Sequence, residues 1–131
     1  MSERALTLDL PGADLPAAGD PVITDVIAGA LSSIDSALPG ASAQAGGALG
    51  IEAGADQVLL ILVDGLGYAL IQDHLGHTPT LRRVRDDIRS IHTVVPSTTA
   101  AAITAFGTGA RPGTTNMVGF SVAYGGGVMN L

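Results

Sequence analysis

Residues 57–67 read QVLLILVDGLG, and the fold turns on them. Val58 to Val63 are six apolar residues in succession, which exceeds the alternation of a half-exposed strand and matches a parallel strand covered by helices on both faces. The run is too short to cross a bilayer. It ends on a carboxylate, Asp64, followed by Gly65 and Gly67, which permit a tight turn and close backbone approach. Ligands of open α/β sheets bind beyond the carboxyl ends of strands. Asp64 therefore has two readings: it caps the helix that follows, or it serves a site as an oxygen ligand for a hard or borderline metal ion.

Outward from this stretch, composition sets the class. The 131 residues are one ordinary domain at most, and 47% hydrophobic content with 18 glycines is an α/β profile rather than a disordered one. All six basic residues are arginine, four of them between Arg82 and Arg89, against a net charge of −6. That balance disfavours a nucleic-acid duplex as partner, because phosphate-backbone binding needs a basic surface. The chain has no cysteine, so disulfides and thiolate metal sites are excluded. Residues 1–16, MSERALTLDLPGADLP, lack the basic and apolar regions of a signal peptide, so the expected location is cytoplasmic, with no membrane partner.

Before the apolar run, residues 1–21 carry Pro11, Pro16 and Pro21 and are expected to form an extended arm, leaving 22–131 as the folded body. Apolar positions from Val22 to Leu38 recur at three- and four-residue steps and predict an amphipathic helix ending at Pro39-Gly40. Residues 40–56 are rich in Gly and Ala without a sustained period and read as a flexible connection. After the run, Tyr68 to His74 predicts a short helix, and PTLRRVRDD, residues 79–87, a second one. His74 and His77 stand three apart, but Gly76 intervenes, and a helix end on the surface fits them better than a metal site. The arginines of 82–89 read as a solvated face more than a phosphate clamp, since Asp86 and Asp87 offset them.

Ser90 to Val95, rich in β-branched residues, predicts a second strand, in which His92 reads as a structural residue. Pro96 closes it, and Ser97, Thr98 and Thr99 precede the helical run AAAITAFGTG. A hydroxyl at a helix start, among free backbone N–H groups, either caps the helix or attacks a phosphorus centre bound there. Val118 to Tyr124 and Val128 onward predict the two strands of a hairpin.

An apolar strand ending VDGLG (63–67), followed by VPSTTAAAITAFGTGARPG (95–113), resembles the alkaline phosphatase superfamily, in particular its nucleotide pyrophosphatase/phosphodiesterase branch. In that branch a strand ends in an aspartate, and a Pro-x-x-Thr nucleophile motif leads to Thr-Gly-x-x-Pro, here Thr108 to Pro112. The resemblance covers roughly 55–131, and the helix at 22–38 is similar to the leading helix of bacterial members. It implies an α/β fold with a parallel-sheet sandwich, incomplete in this chain, and two divalent metal ions, usually zinc. Asp64 would be a metal ligand, and Thr99 the nucleophile and a ligand of the same ion, with Thr98 next in line by proximity. The substrate implied is a phosphate ester or nucleotide.

The pattern departs from the family in three places. Ala100-Ala101-Ala102 stand where phosphodiesterases often have Pro-Asn-His, so the oxyanion donor would be the backbone N–H of Ala100. Thr115-Asn116 replace a common His-Gly, and the later Asp-His and His ligands have no counterpart. The expectation is therefore the N-terminal portion of a metal-dependent hydrolase, with an incomplete site, little hydrolysis and a tendency to aggregate alone, and with a missing C-terminal segment as a partner. The competing reading is a phosphate- or nucleotide-binding module without chemistry, cradling a phosphate at Gly65 to Gly67. The dinucleotide fingerprint, however, needs glycine at position 70, which is Leu70, and the chain has no lysine for a Walker-type loop.

Overall fold

The computed structural model describes residues 16–130, so most of the expected arm lies outside the described residues. Helix α1, Asp25–Ile34, occupies the middle of the predicted 22–38 helix. The flanks go elsewhere. Val22 forms a parallel bridge with His92, with Ile23 N–H donating to His92 O at 2.8 Å and His92 N–H donating to Pro21 O at 2.9 Å. Residues committed to that pairing cannot also wind into α1.

The expected flexible connection is a correction: residues Ala43–Leu49 form α2. Alanine has the best helix propensity, and both ends are closed locally. Ser42 Oγ accepts from Ala45 N–H at 3.2 Å, and Gly50, at φ 68°, takes the left-handed conformation and returns its N–H to Gly46 O and Gly47 O. The glycines have a packing role that composition alone does not reveal. A Cβ on Gly46 would lie 2.7 Å from Ser32 Oγ, and one on Gly29 would lie 3.0 Å from Gly46 N. The two helices thus meet almost backbone to backbone.

Helix α3, Tyr68–His74, continues into a 3₁₀ turn at Leu75–His77. The second predicted helix stops early: α4 is Pro79–Arg83, followed by a 3₁₀ turn over Arg85–Asp87. Then come α5, Thr99–Thr108, and the short α6, Pro112–Thr115. Strands β1, Ser121–Tyr124, and β2, Gly127–Asn130, pair antiparallel with Tyr124 opposite Gly127. The turn residues Gly125 and Gly126 both have positive φ, as a two-residue hairpin turn of this hand demands. This hairpin is the whole sheet content among the described residues.

Two strand expectations are therefore corrected. Ser90–Val95 contributes only the single bridge at His92. Residues 58–63 form neither strand nor helix and have no backbone hydrogen bond to any described residue. They are also not buried: Leu59 and Ile61 are 83% and 76% exposed, Leu60 43%. The alternation is that of a strand with one side turned toward the body, but a strand is buried on two faces only where neighbours and helices cover it. The parallel-sheet sandwich is thus not formed by the described residues.

The core lies beneath α5. Val94, Ala101 and Ala105 are buried together, with Ile23 and Ala102 packed against them. Ala30 and Ala45 are buried at the α1–α2 contact, and the buried Ser33 hydroxyl is satisfied by Ala30 O at 2.7 Å. Among the described residues no helix is long and apolar enough to cross a membrane.

Candidate functional site

The start of α5 assigns its two threonines different tasks. Thr98 is the N-cap: its backbone is extended, its Oγ1 accepts from Ala101 N–H at 3.3 Å, and the hydroxyl proton goes to Val118 O at 3.3 Å. Both capacities of that hydroxyl are committed. Thr99, the first helical residue, instead donates from Oγ1 to Asp64 Oδ2 at 3.4 Å, across 35 positions of sequence. Strong O–H···O⁻ bonds are about 2.5–2.7 Å long. The contact is therefore a weak hydrogen bond, and both oxygens keep capacity for another partner.

Asp64 does not cap the helix that follows. Gly67 is the N-cap residue of α3, with no side-chain hydrogen bond there, and Gly65, at φ 72°, turns the chain between the carboxylate and the helix. Asp64 Oδ2 instead accepts the Thr99 hydroxyl. The N–H groups of Thr99 and Ala100 precede the first capped and intrahelical donors, Ala101 and Ala102, and have no acceptor among the described residues. A hydroxyl, a carboxylate and two free N–H groups thus meet at one helix start.

Asp64 and Thr99 line a pocket of about 570 Å³, roughly the size that holds a small-molecule ligand. Its walls are mostly apolar, from Leu62, Leu66, Ile88 and Ile103 among others, with Ser97, Tyr68 and Arg89 adding polar groups at the edge. A larger cavity of about 680 Å³ lies between the 16–25 segment and α2. Its carboxylates are engaged in holding the chain: Asp25 accepts from Val22 N–H at 3.1 Å, and Asp20 accepts from Ala17 N–H at 2.8 Å and stands 3.5 Å from His92 Nε2. The smaller pocket is the chemically free one.

The histidines stay outside it. His74 Nδ1 lies 2.9 Å from Leu70 O at the end of α3, the position of a surface helix end, and His77 lies in the adjoining turn. Among the described residues no group of three or more His, Cys, Asp or Glu is placed to hold a metal ion. Sequence reasoning passed over Arg89 as a pocket residue. The available signal was position: Arg82 and Arg83 lie on α4 and Arg85 in the turn after it, whereas Arg89 follows that turn and adjoins the extended segment that carries Val94.

The family model of type I phosphodiesterase / nucleotide pyrophosphatase matches residues 58–125. The chain belongs to that family. No curated protein and no solved structure matches the chain. The stretch shared with the type I phosphodiesterases begins at the first residue of the apolar run and ends within the hairpin turn, so it contains both Asp64 and Thr99. Membership carries an alkaline phosphatase-like α/β fold and places the chain among hydrolases of phosphodiester and pyrophosphate bonds.

Proposed function

We propose that the chain takes part in metal-dependent hydrolysis of phosphodiester or pyrophosphate bonds, with Thr99 as nucleophile. The single observation that supports this most is the approach of Thr99 Oγ1 to Asp64 Oδ2 beside two unpaired N–H groups, while Thr98 is occupied as a cap. In the proposed reaction Thr99 Oγ, its proton lost to solvent at the open pocket, forms a bond to phosphorus. The ester or anhydride oxygen leaves with the electron pair of the broken bond. Water then cleaves the Thr99–phosphorus bond and restores the hydroxyl. The N–H groups of Thr99 and Ala100, at the positive end of α5, stabilise the charge that builds on the phosphoryl oxygens.

The family is generally metal-dependent. The donor pair fits one ion: two oxygens bound about 2.0–2.2 Å from a tetrahedral ion stand roughly 3.3–3.6 Å apart, and Asp64 Oδ2 and Thr99 Oγ1 are 3.4 Å apart. Asp64 and Thr99 would hold it, and a divalent cation supplies acidification of the hydroxyl and neutralisation of phosphate charge when bound. For a second ion the described residues offer no cluster. We therefore expect weak metal affinity and slow turnover.

The test incubates the chain with a chromogenic aryl phosphodiester at millimolar zinc or manganese and reads both phenolate release and the mass of the chain. Slow, chelator-sensitive release and one phosphoryl adduct mapped to Thr99 are expected, both lost in Thr99→Ala and kept in Thr98→Ala. Release that survives Thr99→Ala, an adduct on another residue, or neither signal at any metal concentration overturns the proposal.

A further inference from the structure

Thr24 is only 8% exposed, yet its hydroxyl has no hydrogen-bond partner among the described residues. It stands at the N-cap of α1, where a threonine ordinarily closes the helix from extended backbone. Here the backbone is already helical, at φ −66° and ψ −20°, and the side chain makes no cap. Among the described residues no side-chain oxygen is both occluded and unpartnered, so this hydroxyl keeps contact with open space. Thr24 lines two cavities, the one of about 680 Å³ beside α2 and another of about 480 Å³ walled by Val22, Val94, Val95 and Pro112. Arg111 lines both as well, so the two side chains stand where the cavities adjoin. Among the side chains lining either cavity Arg111 is the one cation, and among the described residues it has no ion-pair partner.

We propose that Arg111 and Thr24 form a binding site for a monocarboxylate with an apolar body, the carboxylate at these two side chains and the body in the smaller cavity. A guanidinium meets a carboxylate bidentately, and a hydroxyl donor beside it serves a further lone pair. One guanidinium balances one negative charge. The larger cavity carries Asp20 and Asp25, so a phosphate dianion would bring a second charge next to two carboxylates with no cation to meet it. The smaller cavity has no charged side chain besides Arg111, and its wall includes Val95, 67% exposed, next to Val94 of the core. An apolar body there covers Val95 against a fixed floor. Arg111 is itself exposed, so the ion pair alone contributes little, and affinity requires the hydroxyl and the apolar wall together. The walls are held before a ligand arrives: Val22 is bridged to His92, and Arg111 O accepts from the N–H groups of Thr114 and Thr115 at 2.8 and 3.1 Å. Little ordering then accompanies binding. Thr93 is the one lining residue shared with the Asp64–Thr99 pocket, so this site stands apart from the proposed reaction centre and does not rest on the nucleophile reading.

The test is an NMR titration of the full ¹⁵N-labelled chain with phenylacetate, and with acetate, 2-phenylethanol and inorganic phosphate for comparison. Phenylacetate is expected to move the amide signals of Thr24, Val95 and Gly113 saturably, with each comparison compound bound about tenfold more weakly or worse. Arg111→Gln should lose about tenfold in phenylacetate affinity, the scale of a lost charged hydrogen bond, and Arg111→Lys should recover part of it. Thr24→Val should lose about threefold or more while its urea midpoint stays level or rises, because a buried hydroxyl without a partner gives way to a methyl of similar shape. Arg89→Gln, in the Asp64–Thr99 pocket, should stay within about twofold of the wild type.

The absence of a saturable shift overturns the inference, as does equal affinity for acetate, phosphate or 2-phenylethanol. Unchanged affinity in Arg111→Gln or Thr24→Val has the same force. A lowered midpoint in Thr24→Val shows the hydroxyl bonded within the fold and removes it from the site. Loss of binding in Arg89→Gln moves the carboxylate to the Asp64–Thr99 pocket and likewise overturns the assignment.

Discussion

The α1–α2–α5 region and the segment 58–63 draw on the same apolar wealth and use it in opposite ways. Among the described residues the buried hydrophobic side chains are Ala30, Ala45, Val94, Ala101 and Ala105, and no large one is fully buried. Val58 to Val63, all larger than alanine, lie between 39% and 83% exposed. Apolar residues are therefore not a core by themselves. Small ones are buried where backbones approach closely, as at Gly29 and Gly46, and large ones stay in solvent where nothing covers them.

The comparison breaks most readily at the close contacts. Gly29→Val would drive a Cβ to 2.9 Å from Leu49 Cδ1 and to 3.0 and 3.1 Å from the Gly46 backbone, which cannot rotate away. A loss of roughly 1–3 kcal/mol is expected, the usual cost of overpacking, or more if the helices separate. Urea unfolding followed by circular dichroism measures it, and an unchanged midpoint would show that α1 and α2 do not pack in solution as described. Ala101→Leu probes the same region beneath α5, with an expected loss of similar size, since Ala101 is 1% exposed. Next in size is Thr98→Ala, which removes the α5 cap and should cost about 1 kcal/mol.

Local signals in the sequence were legible. The Ser-Thr-Thr cluster and the glycines after Asp64 gave a helix start and a turn, and the structure brings Thr99 and Asp64 together. The hairpin also follows from local chemistry, because Gly125 and Gly126 tolerate positive φ. What was not legible depends on a partner distant in the chain. Residues 43–49 read as a loop because a glycine's value as a contact point appears only once a second helix lies against it. The run 58–63 states a preference for burial but not what buries it, so neither its missing strand partner nor its exposure was visible. Arg82, Arg83, Arg85 and Arg89 are all exposed, as a solvated face requires, and that Arg89 also lines the pocket depends on a segment distant in the chain.

The smallest expected effect on stability sharpens the comparison most. Leu59 and Ile61 point away from the body at 83% and 76% exposure, so replacing either by Asp removes little buried area and leaves no cavity. Surface substitutions of this kind change stability by about 0.5 kcal/mol or less. Their effect should appear in association instead. The backbone of 58–63 has no hydrogen-bond partner among the described residues, and an unpaired apolar segment is a template for pairing with another chain. A charge on each copy opposes that pairing, since like charges directly opposite each other on neighbouring strands repel. Sedimentation velocity should accordingly show self-association of the wild type that diminishes in Leu59→Asp and further in the double variant with Ile61→Asp. A loss of unfolding free energy well above 1 kcal/mol in either single variant would mean that these side chains are covered in solution, and the contrast between the two regions would then disappear.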